Sequence, residues 1–242
     1  MDQAIAFYMR DATTYAVQTE VMKTRFCHRF DLQADRVKII PNAAIRQVVE
    51  DGDIRQPFKG EKPYRFLFLS KWYAHKNFEC LIPLAKIIRD QNLPVQISLT
   101  LEKTESAGAQ ALLQEIEQSD LSTIIHNIGN LFLKEVGKTI LAHDAVFLPS
   151  LMESYSGVYS EALLYERPIF TSNYDFATTL LDNAAFYFDP LKPEHIAEVI
   201  AHAIKHPELM EEKQMHARNL AALMPDWDRI ARDFSGLLDS FS

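Results

Sequence analysis

Residues 145–172 read AVFLPSLMESYSGVYSEALLYERPIFTS, two apolar runs on either side of a helical segment. Ala145–Pro149 is a short, continuously apolar run. Gly157–Tyr165 has the composition of a helix, opened by a glycine and ended before Pro168. Pro168–Ser172 is apolar again. A strand, a helix and a second strand this close together form a βαβ unit, whose strands run parallel. Strands that stay apolar at successive positions, as AVFLP and PIFTS do, are those covered on both faces.

The same alternation extends in both directions. Upstream, Arg65–Ser70 (RFLFLS) predicts a strand. Asn77–Gln91 predicts a helix, with Phe78, Leu81, Ile82, Ala85 and Ile88 near helical period. Val95–Leu101 alternates as a strand. Ser106–Ser119 follows as a helix with Leu112, Leu113 and Ile116 on one face, then Thr123–Asn127 as a strand and Leu133–Ala142 as a helix. Downstream, Phe176–Leu181 is a short helix and Ala185–Phe188 a strand. Pro193–Lys205, Pro207–Met224 and Trp227–Phe241 are closing helices, with Pro193 and Pro207 placed as first-turn residues. Six strand–helix repeats with short connections and right-handed crossovers predict an α/β fold, a doubly wound, parallel, six-stranded Rossmann-like sheet. Such sheets bind ligands outside the carboxyl ends of their strands.

The first sixty or so residues break the register. Tyr15–Thr19 and Val37–Pro41 read as strands, Glu20–Arg29 as a helix between them, and Asp51–Pro63 as a loop. A strand and a helix cannot bury their own apolar faces, so this segment either packs on the main domain or ends another one.

The chain has 242 residues, 48% of them hydrophobic and 24% charged, and a formal net charge of −8. The balance argues against a nucleic-acid partner. Two cysteines, Cys27 and Cys80, have neither metal nor redox spacing, which fits a reducing compartment. The N-terminal stretch has no basic start followed by an apolar core, so no signal peptide is expected. No apolar run reaches the ~18 residues of a spanning helix.

Two post-strand segments carry candidate chemistry. After the first main-domain strand comes Ser70-Lys71-Trp72-Tyr73-Ala74-His75-Lys76-Asn77, a strand end with two lysines running into a helix. Lysines and the free N–H groups of a helix start form a site for a phosphate or diphosphate. Solvated loop lysines are the alternative. No glycine loop of the P-loop type is present. After the fourth strand, Glu153 lies in the loop and Glu161 near the second turn of the helix, with the N–H groups of Ser156, Gly157 and Val158 at its start. Carboxylates accept hydrogen bonds from sugar hydroxyls, and N–H groups donate to phosphate oxygens. Spacing alone accounts for both glutamates equally well as helix-start acids. Trp72 and Tyr73 suit either stacking on a base or sugar, or packing.

Taken together, Glu153-Ser-Tyr-Ser-Gly-Val-Tyr-Ser-Glu161-Ala162, the preceding Phe147-Leu148-Pro149-Ser150, Arg167-Pro168-Ile169 with Thr171-Ser172, and Ala184-Ala185-Phe186-Tyr187-Phe188-Asp189-Pro190 resemble the donor-binding, C-terminal half of retaining GT-B glycosyltransferases of family four, the glycosyl transferases group 1. The likeness runs from about Val17 to the C-terminus. It implies a nucleotide-diphosphate sugar as donor substrate, no metal or other cofactor, and transfer with retention to a sugar or lipid-linked acceptor in polysaccharide or glycolipid assembly. It further implies Glu153 and Lys76 as catalytic residues. Donor binding would fall to Ser70, Lys71, Lys76, Asn130, Tyr155, Ser156, Gly157, Val158 and Glu161, with Glu161 on the ribose. Where the family has Gly-Arg at the first strand end, this chain has Ser70-Lys71, which keeps a charge but loses the forked guanidinium.

Complete enzymes of this type have two Rossmann-like domains. On that pattern residues 1–42 are a remnant of the N-terminal acceptor domain and the crossover, 43–226 the nucleotide-sugar-binding domain, and 227–242 a helix that returns to the first domain. The expectation is a hexosyltransferase-type chain inactive without the first domain. It would pair with an acceptor-domain chain, or self-associate through the exposed interdomain face. The alternative is a non-catalytic nucleotide-sugar-binding or interaction module. A cytoplasmic location, peripheral at the inner membrane surface, completes the expectation.

Overall fold

The computed structural model describes residues 9–43, 57–59 and 62–239. The chain divides into two compact units. One takes in the described residues up to 43, Ser154–Gly157 and the described residues from Met224 onward; the other holds the remainder.

The smaller unit contains two parallel strands, β1 (Tyr15–Val17) and β2 (Val37–Ile39), with Tyr15 opposite Val37. Helix α1 (Glu20–Phe30) connects them. The Thr19 hydroxyl caps this helix by accepting from the Met22 N–H at 3.1 Å, one of the orphan donors of a helix start. The Arg36 guanidinium donates to the carbonyls of Ala12 at 2.6 Å and Thr13 at 3.1 Å and lies over the Tyr15 ring. It ties the entry to β1 onto β2.

The larger unit is a six-stranded parallel sheet of β3 (Tyr64–Phe68), β4 (Val95–Leu99), β5 (Ile125–Asn127), β6 (Ala145–Leu148), β7 (Ile169–Ser172) and β8 (Ala185–Phe188), in the spatial order β5-β4-β3-β6-β7-β8. The doubly wound Rossmann-like sheet expected from the alternation is therefore present. The intervening helices are α2 (Leu81–Asp90), α3 (Ala107–Gln118), α4 (Leu133–Leu141), α5 (Gly157–Leu164) and α6 (Asp175–Leu181); α7 (Pro193–Lys205), α8 (Pro207–Leu223) and α9 (Trp227–Asp239) follow. Helix α9 lies in the smaller unit.

Most elements are shorter at their ends than the sequence suggests. The helix expected from Asn77 begins as a 3-10 turn over Phe78–Cys80 and becomes α-helical only at Leu81, because Asn77 itself is left-handed, with φ 59. The loop expected over Asp51–Pro63 falls largely outside the described residues, and so does the end of the helix expected to reach Phe241.

Every residue of β6 and β7 is buried, as are Phe66, Leu67 and Phe68 of β3. The core holds two groups of aromatic rings in contact. Phe66 meets Phe170 at 4.9 Å, Phe170 stacks on Phe186 at 4.6 Å, Phe68 stacks on Phe78 at 4.4 Å, and Phe147 meets Phe188 at 5.6 Å. Truncating any one of these to alanine would cost about 3–5 kcal/mol.

Asp144, just before β6, is fully buried and accepts from the backbone N–H groups of Arg65 at 2.8 Å and Phe58 at 3.1 Å. It fixes the amino ends of the two central strands against each other. The chain winds outward from β3 through β4 to β5, then crosses back to β6 on the other side of β3. The order reverses between β3 and β6, and the carboxyl ends at such a reversal leave a crevice.

Candidate donor site

The segments that follow β3 and β6 both open onto that reversal. The first begins at Ser70, whose N–H donates to the Thr100 hydroxyl at 3.0 Å. Thr100 returns a hydrogen bond to the Ser70 carbonyl at 3.2 Å. The Trp72 N–H donates to the Glu105 carboxylate at 2.7 Å. Residues beyond β4 thus hold the start of the lysine turn. The Trp72 ring stacks on Phe78 at 4.9 Å, so it packs against the core aromatics. Tyr73 is 54% exposed and stacks on His75 at 5.5 Å.

Ala74–Lys76 make a single 3-10 turn, ended by the left-handed Asn77. The Asn77 side chain is buried and donates to the Pro190 carbonyl at 2.8 Å. The second segment is joined to this turn directly, because the Leu151 N–H donates to the His75 carbonyl at 2.7 Å.

With both backbones fixed, Lys76 Nζ lies 2.5 Å from Glu153 Oε1. The two side chains are only 12% and 9% exposed. By contrast, the pair Lys59–Glu211 is 57% and 62% exposed. A surface pair of that kind is worth ~0–1 kcal/mol. The Lys76–Glu153 pair has left most of its hydration behind, so each charge depends on the other. An ammonium has three N–H donors, so Lys76 keeps capacity for a further anionic partner.

Glu161 lies on α5 and is partly buried, and burial pushes its carboxyl up to about 7. A carboxyl titrating there both donates and accepts at neutral pH. Between the two glutamates, Tyr159 is fully buried. The Thr171 hydroxyl donates to the Leu148 carbonyl at 2.8 Å. Its single proton is thereby used, so the Tyr159 hydroxyl donates to Thr171 Oγ1 at 2.7 Å. This chain of hydrogen bonds pins α5 to the carboxyl ends of β6 and β7, and burial raises the Tyr159 pKa.

Of the remaining residues singled out from sequence, Lys71 is exposed and Asn130 is exposed in the segment after β5. Val158 is half-buried in the first turn of α5, which Gly157 opens. In the smaller unit, Ser156 is buried and Tyr155 donates to the Asn42 carbonyl at 3.2 Å. Sequence reasoning passed over Asn77, Thr100 and Glu105, which hold the lysine turn. It also missed the hydroxyls of Ser150 and Ser172, which are fully buried without a hydrogen-bond partner among the described residues. The one usable signal was Asn77, since asparagine is among the few residues that accept left-handed backbone. Among the described residues, no group of three or more His, Cys, Asp or Glu side chains is arranged to hold a metal ion.

Residues 49–220 match the family model of glycosyl transferases group 1. The O-antigen chain mannosyltransferase RfbU of Salmonella typhimurium is 24% identical over 178 residues, covering 73% of this chain and 45% of that protein. A mutant of S. aureus TarM, crystallised with fondaparinux, alpha-GlcNAc-glycerol and UDP, superposes with a TM-score of 0.79 at 14% identity, covering 98% of this chain and 46% of that one. Anabaena HepE in complex with UDP and glucose gives 0.77 at 19% identity, covering 96% and 64%. The chain thus spans less than half of RfbU and TarM. The fold is that of the C-terminal half of a GT-B glycosyltransferase, and the chain belongs to the glycosyl transferases group 1 family.

Proposed function

We propose that this chain is the donor half of a glycosyltransferase, binding a nucleotide-diphosphate sugar at the reversal between β3 and β6. The sugar would pass with retention to a sugar or lipid-linked acceptor in polysaccharide or glycolipid assembly. The observation that carries this reading is the Lys76–Glu153 pair at 2.5 Å, sequestered from solvent where the strand order reverses. Lys76 and the more exposed Lys71 would meet the diphosphate, and Lys76 would offset the charge that develops on the leaving group. Glu153 would face the transferred sugar beside its anomeric carbon. Glu161 would accept from the ribose hydroxyls. Ser70, Asn130 and the N–H group of Val158 would complete the donor contacts. The charge stabilisation is assigned to these side chains and this amide, with no metal in the scheme.

TarM and HepE were each crystallised with UDP, which makes UDP and UDP-glucose the first probes, with GDP and GDP-mannose beside them. Calorimetry should give saturable binding to one nucleotide series. Lys76→Ala should weaken it by about 1–3 kcal/mol, the worth of a charge-assisted contact. Unchanged affinity in that variant would remove the diphosphate assignment. A second reading, a nucleotide-sugar-binding module serving a separate acceptor-domain chain, draws on α9, where Trp227, Phe234 and Leu238 are each about half exposed. Donor binding without transfer by this chain alone, restored by adding an acceptor-domain chain, would favour it.

A further inference from the structure

The lysine turn is anchored at its far end by a residue with no charge and no reactive group. Asn77 is 7% exposed and has φ 59 and ψ 46. Its N–H donates to the Ala74 carbonyl at 3.3 Å and its carbonyl accepts from Cys80 at 3.3 Å. It therefore closes the turn that carries Lys76 and starts the one leading into α2. Glycine would meet this backbone requirement equally well. What glycine could not supply is the amide, which crosses to the Pro190 carbonyl at 2.8 Å.

That anchor is itself held firmly. The Asp189 N–H donates to His195 Nδ1 at 3.1 Å, and the Asp189 carboxylate accepts from the Leu191 N–H at 3.0 Å and pairs with Lys192 at 3.1 Å. Lys76 thus has a fixed neighbour on each side, with the His75 carbonyl held by Leu151 and the Asn77 amide held by Pro190.

We infer that Asn77 is the positioning residue for Lys76, holding its ammonium on Glu153 by tying the lysine turn to the segment after β8. A lysine side chain has four rotatable bonds, so the place of its ammonium is only as definite as that of its Cα. As a statement about donor binding, the inference rests on the reading of Lys76 given above. As a statement about the ion pair, it does not.

Two measurements separate these. The first is amine footprinting with an acetyl N-hydroxysuccinimide ester, read residue by residue by mass spectrometry. In the wild type, Lys76 should acylate far more slowly than the exposed Lys71 and Lys86. Asn77→Gly keeps the left-handed backbone and loses the amide; Asn77→Asp keeps the shape and loses the donor. Both should speed acylation of Lys76 by up to about tenfold, the scale of one lost neutral hydrogen bond, and leave Lys71 and Lys86 unchanged. A general loosening would move all three lysines.

The second is a double-mutant cycle on UDP affinity. Asn77→Gly should weaken UDP binding in the wild type and have no further effect in the Lys76→Ala background, because coupled residues do not add. Unchanged Lys76 labelling in both Asn77 variants, or an equal loss in both backgrounds, would overturn the inference. A wild-type chain that binds no UDP or GDP would overturn the donor-site reading instead, and the footprint would still decide the role of Asn77.

Discussion

The Leu151 N–H donates to the His75 carbonyl at 2.7 Å, joining segments that follow two different strands. This single backbone bond sets the separation of Lys76 and Glu153, each within two residues of it. Neither charge could be held out of water on a wandering loop, because an ion pair offsets its desolvation only with fixed geometry.

The pair therefore makes a sharp stability prediction. Lys76→Met leaves the Glu153 carboxylate without its partner, and Glu153→Leu does the same to the ammonium. Each should cost about 3 kcal/mol in urea denaturation, whereas Lys76→Met/Glu153→Leu should lie near the wild type, as buried pairs replaced together commonly do. Additive single losses would show that the two side chains act independently.

Glu161 gives the pH dependence its sign. Its carboxyl is raised from 4.5 to about 7 by burial, so the unfolded chain ionises there before the folded chain does. Stability from this group is complete below about 4.5, falls as pH rises, and is lost once pH passes about 7. Glu161→Gln should flatten that decline in a series of thermal melts. Ribose hydroxyls donating to Glu161 would favour the charged form, so nucleotide binding near neutral pH should release protons, measurable as a buffer-dependent calorimetric heat. A heat independent of buffer ionisation would separate Glu161 from the ligand.

The strands of the larger unit were legible because burial on both faces removes polar positions. AVFL and IFTS admit no amphipathic reading, and both proved wholly buried. The order of those strands was not legible. That β3 lies beside β6 depends on a crossover whose direction leaves no trace in local composition. At the site, charge and carboxylate chemistry announced Lys76 and Glu153. Of their supports only Asn77 carried a local signal, and the partners stayed hidden, because Thr100 acts across 30 positions and Asn77 reaches Pro190 across 113. Contacts at such separations carry no period for a sequence pattern to reveal.

A Cβ built on Gly108, in the first turn of α3, would collide with the Trp72 indole ring. That ring stacks on Phe78, which stacks in turn on Phe68 of the central strand, so the indole has little freedom to retreat inward. Gly108→Ala should therefore cost about 1–3 kcal/mol through overpacking, against the ~1 kcal/mol that alanine would add to an open helix position. Chemical denaturation gives the stability. In a Trp227→Phe background, Trp72 is the sole tryptophan, and its emission should shift red in the alanine variant as the ring is pushed toward water. Because Trp72 heads the lysine turn, the same variant should also acylate faster at Lys76. A more stable Gly108→Ala protein with unshifted emission would mean that the turn is not braced by α3.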